Sequence, residues 1–220
     1  MPRYQPQITD ITTNAEKYHA AYYAAETFGG PSLHFHRRAL ESRRSDDLAR
    51  QLEYIYATLA SWGMHRMGRG GSKMQSFDIF RKSVEPLEEK IREAGQFDHQ
   101  SMTPARWQVL EHIFRSIKVM ASGTTLVGNS KVMAHLLPNI VPPIDREYTL
   151  RYLRGNTNIR NDLAHEWALM REIIEEFFIP LAKDPRFASL TRAWTSDQEK
   201  YPWDTSILKI IDNLVIGTRK

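Results

Sequence analysis

The chain has 220 residues, 30 Lys+Arg against 26 Asp+Glu, no cysteine, and 41% hydrophobic residues of which aromatics make up 10% of the chain. That composition supports a buried core and excludes disordered, collagen-like and low-complexity chains, while the missing cysteines remove disulfides, thiol nucleophiles and thiolate metal sites. No apolar run approaches the ~18 residues of a membrane span and Met1–Gln5 lacks a signal-peptide core, so a cytoplasmic protein is expected; its net charge of +4 permits an anionic partner without demanding one.

Apolar residues recur at three- and four-residue steps along nearly the whole chain, which predicts an all-α fold of about seven to nine helices. Thr13 and Glu16 form a capping-box pattern and predict a helix start, with Tyr18, Tyr22, Ala25 and Phe28 inward and Gly29-Gly30-Pro31 as its stop. Leu48, Leu52, Ile55, Leu59 and Trp62 predict a second helix, ending at Gly63. Phe77, Phe80, Val84, Leu87 and Ile91 give another, split at Pro86. Thr103-Pro104 caps a helix carrying Trp107, Leu110, Phe114, Ile117 and Met120 on one face. Leu163, Trp167, Met170, Ile174 and Phe177 form the cleanest stripe, closed by Pro180. Asp204 is the expected cap of a last helix with Ile207, Ile211 and Leu214 inward. One chain-long helical unit is expected; lobes 1–100 and 101–220 are one way to divide it, hinged at Gly68–Ser72 and Pro138–Pro143.

The stretch from Ser122 to Arg151 is the most unusual. A turn between two helices leaves amides free at the second helix, a setting that suits a phosphate oxygen. Gly128 would let backbone approach closely, and Ser130 and Lys131 add a hydroxyl and a positive charge. Val141-Pro142-Pro143-Ile144 is a stiff connector leading to Asp145. The order of turn glycine, lysine, Ala-containing helix, proline-flanked connector and aspartate resembles the helix-hairpin-helix DNA glycosylases, with the hairpin-like element near 104–137. That resemblance implies that the hairpin grips a DNA backbone, that Lys131 attacks the sugar carbon and that Asp145 stabilises positive charge as the base leaves. A lysine nucleophile must first lose its proton.

Arg160-Asn161-Asp162-Leu163-Ala164-His165 resembles the Arg-x4–6-His motif of HEPN domains, all-α modules whose active members cut RNA. This second resemblance implies that Arg160 holds a phosphate while His165 exchanges protons, with two copies facing each other across a homodimer. On a continuous helix the two residues would lie about 140° apart, although the segment begins at a helix end. The wider chain resembles a prokaryotic all-helical protein.

Two basic segments, read as loops, complete the candidates. Arg66, Arg69 and Lys73 lie among glycines, and Arg37 and Arg38 open a run that continues to Arg43 and Arg44. Together they point to nucleic acid as the partner, with DNA ahead of RNA. No metal site or cofactor is expected: His34-x-His36 supplies two ligands without a third, and phosphate-loop and dinucleotide fingerprints are absent. A non-enzymatic binding protein is the remaining alternative.

Overall fold

The computed structural model describes residues 3–26, 29–44, 47–68 and 71–220. Helical periodicity becomes ten helices among these residues. The first is α1 (Gln5–Ala25), which begins before Thr13, with Pro6 in its first turn, and bends at Asn14 (φ −112°, ψ 17°) where the capping box was expected. Its inward face is Ile8, Ile11, Ala15, His19 and Tyr22, while Phe28 lies outside the described residues. Arg37 and Arg38 belong to a helix rather than a loop, α2 (Pro31–Arg44), which forms an antiparallel pair with α3 (Leu48–Ser61).

A two-residue antiparallel ladder, Met67 with Ser72 and Gly68 with Gly71, leads into α4 (77–94). That helix takes a 3-10 step at Glu85–Leu87, where Pro86 cannot donate an amide. Thr103 accepts from the Arg106 amide and caps α5 (Pro104–Ser116) as expected. Next come α6 (Leu126–Leu136) and α7 (146–154), the latter opening on a π turn at Arg146–Leu150 capped by Asp145. Pro180 does not close the following helix, α8 (163–183): the π segment Ile174–Phe178 lies immediately upstream, where the ordinary hydrogen-bond ladder is already interrupted. Asp184 separates α8 from α9 (Pro185–Ser196).

The last helix, α10 (Ile207–Gly217), is buried from Leu208 to Val215 and again at Gly217. The buried set includes Lys209, Asp212 and Asn213 beside the apolar residues, so α10 carries polar groups into the interior. Its cap is Ser206, which accepts from the Lys209 amide, so the expectation for Asp204 is corrected: Asp204 is fully buried and bonded elsewhere. α10 lies against α1 so closely that a Cβ on Gly217 would sit 2.0 Å from the Tyr18 carbonyl oxygen. One continuous apolar cluster runs from Tyr4 to Val215 and draws on both halves of the chain.

Candidate functional site

α6 organises the site. Its first amides, at Thr125 and Leu126, are not left for a phosphate: the buried Glu166 of α8 accepts both at 2.6 Å through Oε2, and the Thr125 hydroxyl at 3.0 Å. Gly128 is inside the helix, not in a turn, and a Cβ there would meet Met120 at 2.7 Å and Val119 at 2.9 Å. Ser130 is fully buried and its hydroxyl accepts from the Ile144 amide at 3.1 Å. The expectation that Gly128 and Ser130 contact nucleic acid is therefore corrected. One makes room for a neighbouring segment, and the other ties α6 to the connector before Asp145.

Lys131 and Asp145 do come together. Lys131 Nζ is 3.2 Å from Asp145 Oδ2, and it lies 5.5 Å from the centre of the Trp62 ring. Asp145 Oδ1 accepts from the Glu147 and Tyr148 amides, which makes the same carboxylate the cap of α7. Burial pushes this carboxyl up, but Lys131 and those amides outweigh it and hold it below the usual carboxylate range.

Behind Trp62 lies a buried polar cluster. His36 Nδ1 and His135 Nε2 are 2.9 Å apart, and His135 Nδ1 is 2.7 Å from the Lys131 carbonyl oxygen. A carbonyl only accepts, so His135 Nδ1 carries a proton, and in a neutral ring its Nε2 then accepts from His36 Nδ1. His36 Nε2 is left as an acceptor toward the Thr205 hydroxyl, 3.3 Å away. These neutral forms are the ones that burial favours. Burial pushes each down, His135 to about 4, with Lys209 nearby acting in the same direction. Lys209 itself bonds Asp212 at 2.8 Å and Asn213, and Asn213 leads on to Asp204, which meets His19 at 2.7 Å. Burial raises the Asp212 carboxyl despite Lys209. The cavity beside His36, Trp62, His135 and Lys209 is about 10 Å3, room for about one water and not for a nucleobase.

Arg160 and His165 are arranged differently. Arg160 is in the loop before α8 and His165 in its first turn, so the 140° separation of a continuous helix does not apply. Asp162 makes the corner: its amide donates to the Arg160 carbonyl at 2.9 Å, and its carboxylate accepts from the His165 amide at 2.8 Å. Residues 160–165 are all exposed, the longest such run among the described residues, and Leu163 at its centre is 37% exposed. Neither the Arg160 nor the His165 side chain makes a hydrogen bond or ion pair among the described residues.

The basic segments do not converge on these groups. Arg37 donates to the Gln198 carbonyl, and Arg38 pairs with Glu41 over the Tyr54 ring, both beside an open groove of about 390 Å3. Arg66 folds back over Gly63, Lys73 is exposed, and Arg69 lies outside the described residues. His34 is exposed and His36 buried on α2, so the two cannot share a metal, and no cluster of three or more His, Asp or Glu suited to a metal occurs among the described residues. No described helix is long and apolar enough to cross a membrane. No family model, curated protein or solved structure matches the chain.

Periodicity alone missed Trp62, His36, His135, Lys209 and Glu166 as polar or aromatic parts of these sites. Two of them had a readable signal. Lys131 and His135 are four apart on one helix, and Glu166 interrupts the inward stripe of α8 next to Trp167.

Proposed function

We propose that the protein is a ribonuclease of the HEPN kind, with Arg160 and His165 as its catalytic residues and a second copy completing the site. The observation that carries this reading is the state of the two side chains. They are exposed, stand on either side of one Asp162-capped corner, and are uncommitted to any partner among the described residues. Arg160 offers a planar, permanently charged fork for a phosphoryl oxygen, and an imidazole takes up and returns protons near neutral pH. In RNA the 2′-oxygen attacks phosphorus while one histidine accepts its proton. The 5′-oxygen leaves with a proton from the histidine of the second copy, giving a 2′,3′-cyclic phosphate and a 5′-hydroxyl end. Arg160 stabilises the charge that gathers on the phosphoryl oxygens between these events.

The test is cleavage of a single-stranded RNA oligomer by the purified protein. Cyclic-phosphate ends are expected from the wild type, with loss of at least about a hundredfold in rate for both Arg160→Ala and His165→Ala. Absence of cleavage, or equal cleavage by the variants, refutes the assignment.

A second reading, a glycosylase-like enzyme acting on DNA, is favoured by one observation: Lys131 and Asp145 meet at 3.2 Å. It requires Lys131 to leave Asp145 and the cleft under Trp62 to widen. Borohydride trapping on abasic-site DNA decides it, since only an imine-forming amine becomes cross-linked, and Lys131→Ala must abolish the adduct.

A further inference from the structure

Glu166 ties the first turn of α8, which carries His165, to the start of α6. Immediately before that start stands Thr124, and its hydroxyl accepts from the Arg146 guanidinium. Arg146 is thus linked to the Arg160–His165 corner by two bonded steps: through Thr124 to Thr125, and from Thr125 through Glu166 to α8. The exposed turn Ala121-Ser122-Gly123 leads into Thr124.

The charge of Arg146 is not spent. Its acidic neighbours in the chain are both engaged elsewhere: Asp145 on Lys131 and two amides, Glu147 on Arg151 at 2.9 Å. The bond to Thr124 is to a neutral oxygen, and no carboxylate lies within 4 Å of the guanidinium among the described residues. A half-buried guanidinium held in place by a hydroxyl, with donors left over, is suited to an anionic oxygen from outside. Lys131 shows the contrast, a cation of the same region cancelled by its own carboxylate.

We infer that Arg146 binds a backbone phosphate of single-stranded RNA besides the one held by Arg160, so that the substrate is a strand engaged over at least two phosphates. This rests on the ribonuclease reading for the position of the cut, though not for the contact itself. Arg146 is a binding residue here, and Thr124 its positioning residue.

The experiment reads binding without cleavage. A fluorescent oligomer of 2′-O-methyl nucleotides, which has no 2′-hydroxyl to attack, is titrated against the wild type, Arg146→Gln and the control Arg151→Gln at a series of salt concentrations. Removing one phosphate contact is expected to weaken binding about five- to tenfold at low salt and to reduce the slope of log K against log salt by about 0.7. Arg151→Gln, whose cation is paired with Glu147, is expected to match the wild type. Equal affinity and slope for Arg146→Gln and wild type overturn the inference, as does a wild type that binds no RNA. If Arg146→Gln fails to fold, protection of wild-type Arg146 from a dicarbonyl arginine reagent by the same oligomer replaces it, and an unprotected Arg146 overturns the inference. A wild type that binds through Arg146 yet cuts no RNA supports the contact and removes the ribonuclease reading; cleavage with no Arg146 effect does the reverse.

Discussion

Moving from about pH 7.5 to about pH 5 tests the neutral His36–His135 pair. Burial holds His135 at about 4 in the folded protein, against about 6.5 in an unfolded chain. A histidine depressed in this way binds its proton more readily when unfolded. Its contribution to stability is therefore complete above about pH 6.5 and is lost as the pH falls toward 4. At about pH 5 the unfolded chain has gained this proton and the folded protein has not, which costs about 2 kcal/mol from His135 alone. His36 is displaced in the same direction and adds to the loss. Asp145 is lowered, so its contribution fades only below the ordinary carboxylate value, outside this window. Asp212 is raised and runs the opposite way, but a comparison of variants subtracts it. The assay is urea unfolding followed by tryptophan fluorescence at the two pH values. His135→Gln, whose amide does not titrate, is expected to be less stable at the higher pH yet to lose about 2 kcal/mol less on acidification. Equal pH dependence in wild type and His135→Gln would refute the derivation of a neutral, buried pair.

Glu166→Ala leaves two amides and a hydroxyl at the start of α6 without their acceptor, and should cost about 3 kcal/mol, whereas Glu166→Gln keeps an acceptor and should cost less. Amide exchange at Thr125 and Leu126 localises that effect, and equal destabilisation by both variants would contradict it. Gly217→Ala drives a methyl into the Tyr18 carbonyl and should destabilise by more than about 3 kcal/mol in denaturant melts, because the obstacle is backbone and cannot rotate away. Arg160→Ala and His165→Ala remove exposed, unpaired side chains, so their melting curves should stay within about 0.5 kcal/mol of wild type. A large shift in either would mark a structural role instead.

Helix content was readable because inward residues such as Leu52, Ile55 and Leu59, or Trp167, Met170 and Phe177, keep helical spacing for several turns. Element ends were harder. α1 passes through its apparent start at Asn14, and α8 passes Pro180 by means of a π segment that no residue type announces. α2 was hidden because its inward side is Ser32, His36, Ala39 and Ser42, which carries little apolar signal. The meeting of Lys131 and Asp145 was legible as a local motif across one connector. The partners around them were not: Trp62, His36 and Lys209 arrive from segments far apart in the chain, and only tertiary packing brings them to α6.

The backbone contact between α1 and α10 has a temporal side. Tyr18 fits only against the bare edge of Gly217, and His19 finds its carboxylate at Asp204, 185 residues further on. During synthesis the surface that receives α1 is made long after α1 itself, since Asp204 follows His19 by 185 residues. The chain must carry the apolar face of Ile8, Ile11 and Ala15 unsheltered by α10 until those downstream residues have been added. Contact between α1 and α10 thus waits on residues far downstream, and it joins these two helices directly, backbone to backbone.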